Sequence, residues 1–150
     1  MQKSDAGTSE KYARIWHQFW DLWRREEFFE CHEVLEDLWR ETHGRERLFL
    51  NGHIHCAVAI YQHRRGNAVG AARQLVRAQE KLKPFTPRFQ NVEIAPLLNF
   101  VESEIAPSLA VLEESQRAQL ETLRAHLKEK YRHFPDENLG GNAEDLNGCR

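Results

Sequence analysis

From about Glu46 to Arg64 the chain can only be a helix with neighbours on more than one side. At about 100° per residue, Leu50, Ile54, Ala57, Val58 and Tyr61 form one stripe, and Phe49, His53, Cys56, Ile60 and His63 form the opposite one. A helix apolar over most of its circumference must be central in its fold. Gly52, in its middle, costs about 1 kcal/mol of helix propensity, which close approach by another helix would offset.

The flanking segments carry one apolar face each. Upstream, Tyr12, Ile15, Trp16, Phe19, Leu22 and Trp23 recur at three- and four-residue steps, with Ser9 as the expected N-cap. The charged run Arg24 to Glu27 predicts a solvated turn. A second helix is expected from about Phe28 to Thr42, with Gly44 as a left-handed cap. Gly66 should end the central helix and Asn67 should cap a fourth, whose stripe is Ala68, Ala71, Leu75, Ala78 and Leu82. Pro84 and Pro87 break the pattern, and the loop from Lys83 to about Glu93 is long enough to cover something. A fifth helix carries Leu97, Leu98, Val101 and Ile105, with Pro96 in its first turn. Pro107 must kink it or begin a new piece ending near Glu114. The last helix, about Ser115 to His133, has the narrow seam Leu120, Leu123, Leu127 and Phe134, suited to packing on the domain or on a second copy of itself.

No segment alternates as a strand would, and nothing repeats at a fixed period. The expected fold is therefore all-α, a compact array of five to six helices. One helical domain should span 9–134, with its motif region at 16–82, between disordered tails at 1–8 and 135–150. A chain of 150 residues fits one domain of this kind. Its 21 Lys and Arg against 23 Asp and Glu give a net charge of −2, which argues against a dedicated nucleic-acid binder. The longest apolar run, Cys56 to Tyr61, has six residues, far short of a membrane span. Cys31, Cys56 and Cys149 are sparse and odd in number, which reads as free thiols in a reducing cytoplasm. The partner expected of such a chain is a second copy or another protein.

Chemistry concentrates in the second helix. His32 and Glu36 are one turn apart and share a face, with Phe29 and Trp39 extending the stripe in each direction. Cys31, Leu35 and Leu38 run beside them and must face the core. A carboxylate on that seam needs company. Three readings follow. His32 and Glu36 could form a structural hydrogen bond that fixes helix register, with the protein acting through a partner surface. They could act as a metal-free catalytic pair. Or they could bind a divalent metal ion, zinc or similar, with a third ligand from the central helix. An antiparallel neighbour brings early residues against late ones, which makes His63 the third ligand in that reading. Glu33, Trp39 and His53 would then surround it, Glu33 being the nearest spare carboxylate to serve as a base to a metal-bound water. His55 points about 160° away from His53 and reads as a core-edge residue.

At these positions the chain resembles a known family. Phe28-Phe29-x-x-His32-Glu33-x-x-Glu36-x-x-Trp39, then Phe49-Leu50-x-Gly52, Ala57-x-x-x-Tyr61 and Gly66-Asn67-x-x-Gly70-Ala71, are similar to the prokaryotic family called domain of unknown function 309. The resemblance covers about Trp16 to Leu82. It implies an all-helical fold and a metal-binding signature, HxxxExx followed by Trp or Tyr, falling here on His32, Glu36 and Trp39. It implies no activity. Competing motifs fail on their own terms. A zinc-protease HExxH needs a second His where Glu36 stands, a di-metal bundle needs a second Glu-x-x-His helix, and no phosphate-cradling glycine loop or serine elbow occurs.

Overall fold

The structure, a computed structural model, describes residues 6–132. It consists of α1 (Ala6–Arg24), α2 (Phe28–Glu41), α3 (Gly44–Arg64), α4 (Ala68–Leu82), α5 (Ile94–Glu104), α6 (Ala106–Ala110) and α7 (Glu114–Lys130). Between α4 and α5 stand one 3-10 turn, Lys83–Phe85, and a short antiparallel ribbon, β1 (Arg88–Phe89) with β2 (Val92–Glu93). The all-helical expectation holds, with two corrections. The described residues hold seven helices rather than five to six, because Pro107 opens α6 as a separate piece instead of kinking α5. The ribbon leaves no alternation in the sequence, because two-residue strands are too short to show one. Its turn is made by Gln90 and Asn91, both with left-handed φ (48° and 67°).

The punctuation works largely as expected. Gly44 and Gly66 take positive φ at the two turns that flank α3. The Asn67 side chain accepts a hydrogen bond from the Gly70 amide at 2.9 Å, capping α4. The helix α1 begins at Ala6, so Ser9 lies within it and is not its N-cap. The rest of the expected N-terminal tail and the whole expected tail from 135, including Cys149, lie outside the described residues.

Every residue from Leu48 to Ile60 is buried, so α3 is the axis of the fold. Its principal neighbours are α2 and α4; α1 packs on α2, and α7 packs on α4. Gly52 has the reason anticipated for it: a Cβ there would overlap Cγ and Cδ2 of Leu82, so the glycine lets α4 approach. The Lys83–Glu93 segment does cover something. Phe85 and Phe89 pack edge-on against Phe49 with ring centroids 5.1 and 4.8 Å away, and Gln90 bridges Tyr12 and Glu46 at 2.6 Å each. On α7, Leu127 is buried, and Leu120 and Leu123 pack against the core. No helix among the described residues is long and apolar enough to cross a membrane.

Candidate functional site

The signature face of α2 turns inward as its spacing demands. His32 is 2% exposed, Glu36 5% and Trp39 3%. Two ring contacts fix how α2 lies on α3. Phe29 meets Tyr61 at 5.0 Å, and the Arg47 guanidinium sits 3.8 Å from the Trp39 ring. The pair is thus antiparallel, which sets Glu36, a turn before Trp39, level with Asn51, a turn beyond Arg47. The Nδ1–H of His32 donates to the Phe29 carbonyl at 2.7 Å, which fixes its tautomer, and its ring packs edge-on against Phe29 at 5.0 Å. The Glu36 carboxylate is 3.6 Å from Arg40.

What faces this stripe from α3 is not the stripe that was expected. His63 points away from α2 and hydrogen-bonds Ser108 of α6 at 2.7 Å. Tyr61, two positions earlier, is the residue that faces Phe29, and two residues along a helix is more than half a turn. His53 also lies on another side. It sits in an aromatic box of Trp16, Phe19, Trp20 and Phe49, with centroids 4.6 to 6.0 Å away, and its Nδ1–H donates to the Phe49 carbonyl at 3.0 Å. Burial lowers its pKa to about 4. Cys56 and Cys31 are buried with it, and burial pushes both thiols up, out of the nucleophilic range. Glu33 is exposed on the outer face of α2.

The histidine of α3 whose charge is felt at the same layer as His32 is His55, the one read as core-edge. Its Nδ1–H donates to Gln74 Oε1 at 2.5 Å, and its Nε2 accepts from the Lys81 ammonium at 3.0 Å. Lys81 also donates to Asn51 Oδ1. Lys81, Gln74, His55 and Asn51 are each 1% exposed or less. Burial and then the Lys81 charge hold His55 well below the ordinary imidazole range, with Arg77 and His32 acting the same way and Gln74 opposing them. The candidate site is therefore a polar layer running through α2, α3 and α4: His32 and Glu36, then Asn51 and His55, then Gln74 and Lys81. Asn51, Gln74 and Lys81 carry no mark in the sequence motifs and His55 reads there only as a core-edge residue, although polar residues one or two turns apart on consecutive helices are the signal.

Among the described residues, no three His, Cys, Asp or Glu side chains are grouped to hold an ion. Both ring nitrogens of His55 are taken by protein partners, and the Lys81 ammonium at the same layer opposes a second cation.

Comparison with known proteins agrees with the resemblance drawn from the motifs. Residues 16–74 match the family described as "Domain of unknown function (DUF309)", a stretch that includes α2, α3 and the start of α4. An uncharacterized protein of Bacillus subtilis (strain 168), YpuF, is 48% identical over 48 residues, covering 31% of this chain and 28% of that relative. The matched stretch thus spans little more than a quarter of the relative. No solved structure matches.

Proposed function

We propose that this chain is a non-enzymatic helical interaction module whose family signature forms a buried polar lock. Glu36 and Lys81 are its charged poles, and His32, Asn51, His55 and Gln74 carry the hydrogen bonds between helices. The observation that carries this reading is Lys81: an ammonium 1% exposed, held by Asn51 and by His55, whose other nitrogen is bound to Gln74. A buried cation needs a carboxylate. The described residues bury two, Glu36 and Glu80, and Glu80 is already engaged by Arg124 at 2.8 Å and Lys83 at 3.2 Å. Glu36 has only the longer, 3.6 Å pair with the half-exposed Arg40 and lies level with Asn51, so it is the carboxylate left to balance Lys81. Such a layer accepts one register among three helices and penalises the others, which is the best-attested use of buried polar groups. With the signature inside, contacts to a second copy or another protein fall to the outer surface.

The competing reading is a divalent metal, zinc or similar, held through His32, Glu36 and His63. Two measurements on the full, untagged chain separate the two. Elemental analysis should find no stoichiometric metal, and chelation should leave the thermal midpoint unmoved. Glu36→Leu alone should cost about 3–5 kcal/mol in urea unfolding, because it removes the carboxylate that balances the buried Lys81, and Lys81→Met should cost less, because Arg40 still faces Glu36. The double variant should recover most of that loss. Stoichiometric metal that disappears in His32→Ala, or strictly additive losses in the double variant, would overturn the lock.

A further inference from the structure

Where the end of α4 meets α5 and α7, a cleft of about 420 Å³ opens to solvent. Lys83, Arg124 and Lys128 converge on it. One carboxylate answers them: Glu80, its side chain 4% exposed, takes Arg124 at 2.8 Å and Lys83 at 3.2 Å. The second Arg124 nitrogen donates to Gln79 at 2.9 Å. Three cations against one carboxylate leave two positive charges in excess. Both reside on the exposed ammonium groups of Lys83 and Lys128, which line the same cleft, and Lys83 lowers the Lys128 pKa against the opposing pull of Glu80. A cleft whose lining carries three cations and one carboxylate has a positive field at its mouth, which favours an anion there. The wall opposite, from α5, is different in kind. Leu98 and Ala95 make it apolar, and the Asn99 amide stands at its rim. The volume falls in the range of small-molecule sites.

We propose that this cleft binds an organic phosphomonoester, its phosphate bridging Lys83 and Lys128 and its organic part lying against Leu98 and Ala95. A phosphomonoester carries close to two negative charges at neutral pH, which matches the local excess, whereas a single carboxylate matches half of it. Arg124 stays committed to Glu80 and shapes the floor. The site stands on residues outside the polar lock and does not depend on that reading.

The test is calorimetric titration of the full chain with phenyl phosphate and with inorganic phosphate as probes. Phenyl phosphate should bind saturably and more tightly than inorganic phosphate. Lys83→Gln and Lys128→Gln should each weaken both probes by about tenfold, the scale of a lost charge-assisted contact. Leu98→Ala should weaken phenyl phosphate and leave inorganic phosphate unchanged. Arg14→Gln, an exposed change on α1 of equal charge, controls for the general field and should change nothing. Equal effects of Lys128→Gln and Arg14→Gln would overturn the proposal. So would a single-stranded oligonucleotide displacing phenyl phosphate at equal phosphate concentration, since that would make the cations part of an extended nucleic-acid surface.

Discussion

Replacing Gly52 by alanine should destabilise this protein, although alanine is much the better helix former. On propensity alone the substitution gains about 1 kcal/mol. Against that gain, the new Cβ would overlap Cγ and Cδ2 of Leu82 and stand 3.1 Å from Cδ1. Leu82 is fully buried. Overlap at Cγ, the branch point, cannot be relieved by turning the terminal methyl groups, so either Leu82 leaves its rotamer or α4 moves away from α3. Overpacking of this kind costs about 1–3 kcal/mol, and an obstruction involving a branch point belongs at the upper end. The expected net loss is about 1–2 kcal/mol, read as a lower urea midpoint at unchanged slope. The cause is tested by removing the obstruction. Leu82→Ala alone should cost about 2–5 kcal/mol through the cavity it leaves. In that background Gly52→Ala should become neutral or stabilising by as much as about 1 kcal/mol. If Gly52→Ala stabilises the parent, or if its effect is the same in both backgrounds, the close approach of α4 is not the reason for the glycine.

Three further outcomes follow from buried groups. His53 and His55 are neutral in the folded protein, with His53 lowered from 6.5 to about 4, so the unfolded chain takes up protons first. Stability should be full above about pH 6.5 and fall as the pH drops toward 4; for His53 the full loss is about 3 kcal/mol. His53→Phe should remove about one proton from the pH slope measured by denaturant titration, and an unchanged slope would refute the assignment. Cys31 and Cys56 should resist alkylation in the native protein and react on unfolding, as followed by mass spectrometry, because burial disfavours both thiolates. Ser108→Ala should cost about 1 kcal/mol by removing the partner of His63, and a loss near zero in thermal unfolding would show that water replaces the hydroxyl.

The parts of this fold that local chemistry dictates were readable in advance. Gly66 and Asn67 mark the turn between α3 and α4, the packing demand on Gly52 is visible as a glycine inside an apolar helix, and the inward turn of His32, Glu36 and Trp39 follows from their spacing beside Leu35 and Leu38. The antiparallel pairing of α2 and α3 was also correct, since Phe29 does meet the late residue Tyr61. What failed was the angle of α3 about its own axis. A helix with one polar face can be oriented by that face, but α3 is buried all the way round, so periodicity could not say which stripe turned to α2. Choosing the stripe with His53 and His63 sent the metal reading to residues that face α1 and α6.

Lys81 shows the second limit. Near the end of α4, beside Glu80 and Lys83, it has the appearance of a lysine at a solvated helix terminus. Its ammonium instead crosses to α3, because a four-carbon stem lets the charge end far from the face on which the residue begins. A single helix could not have revealed this. Gln74 and Lys81 lie two turns apart on α4, Asn51 and His55 one turn apart on α3, and His32 and Glu36 one turn apart on α2. Each pair alone is an ordinary edge of an apolar stripe. Stacked in three adjacent helices they can satisfy one another only if all three edges face the same layer. The recurrence of polar pairs along consecutive helices therefore orients α3 where its own hydrophobic pattern cannot, and it turns Asn51 and His55, not His53 and His63, toward that layer.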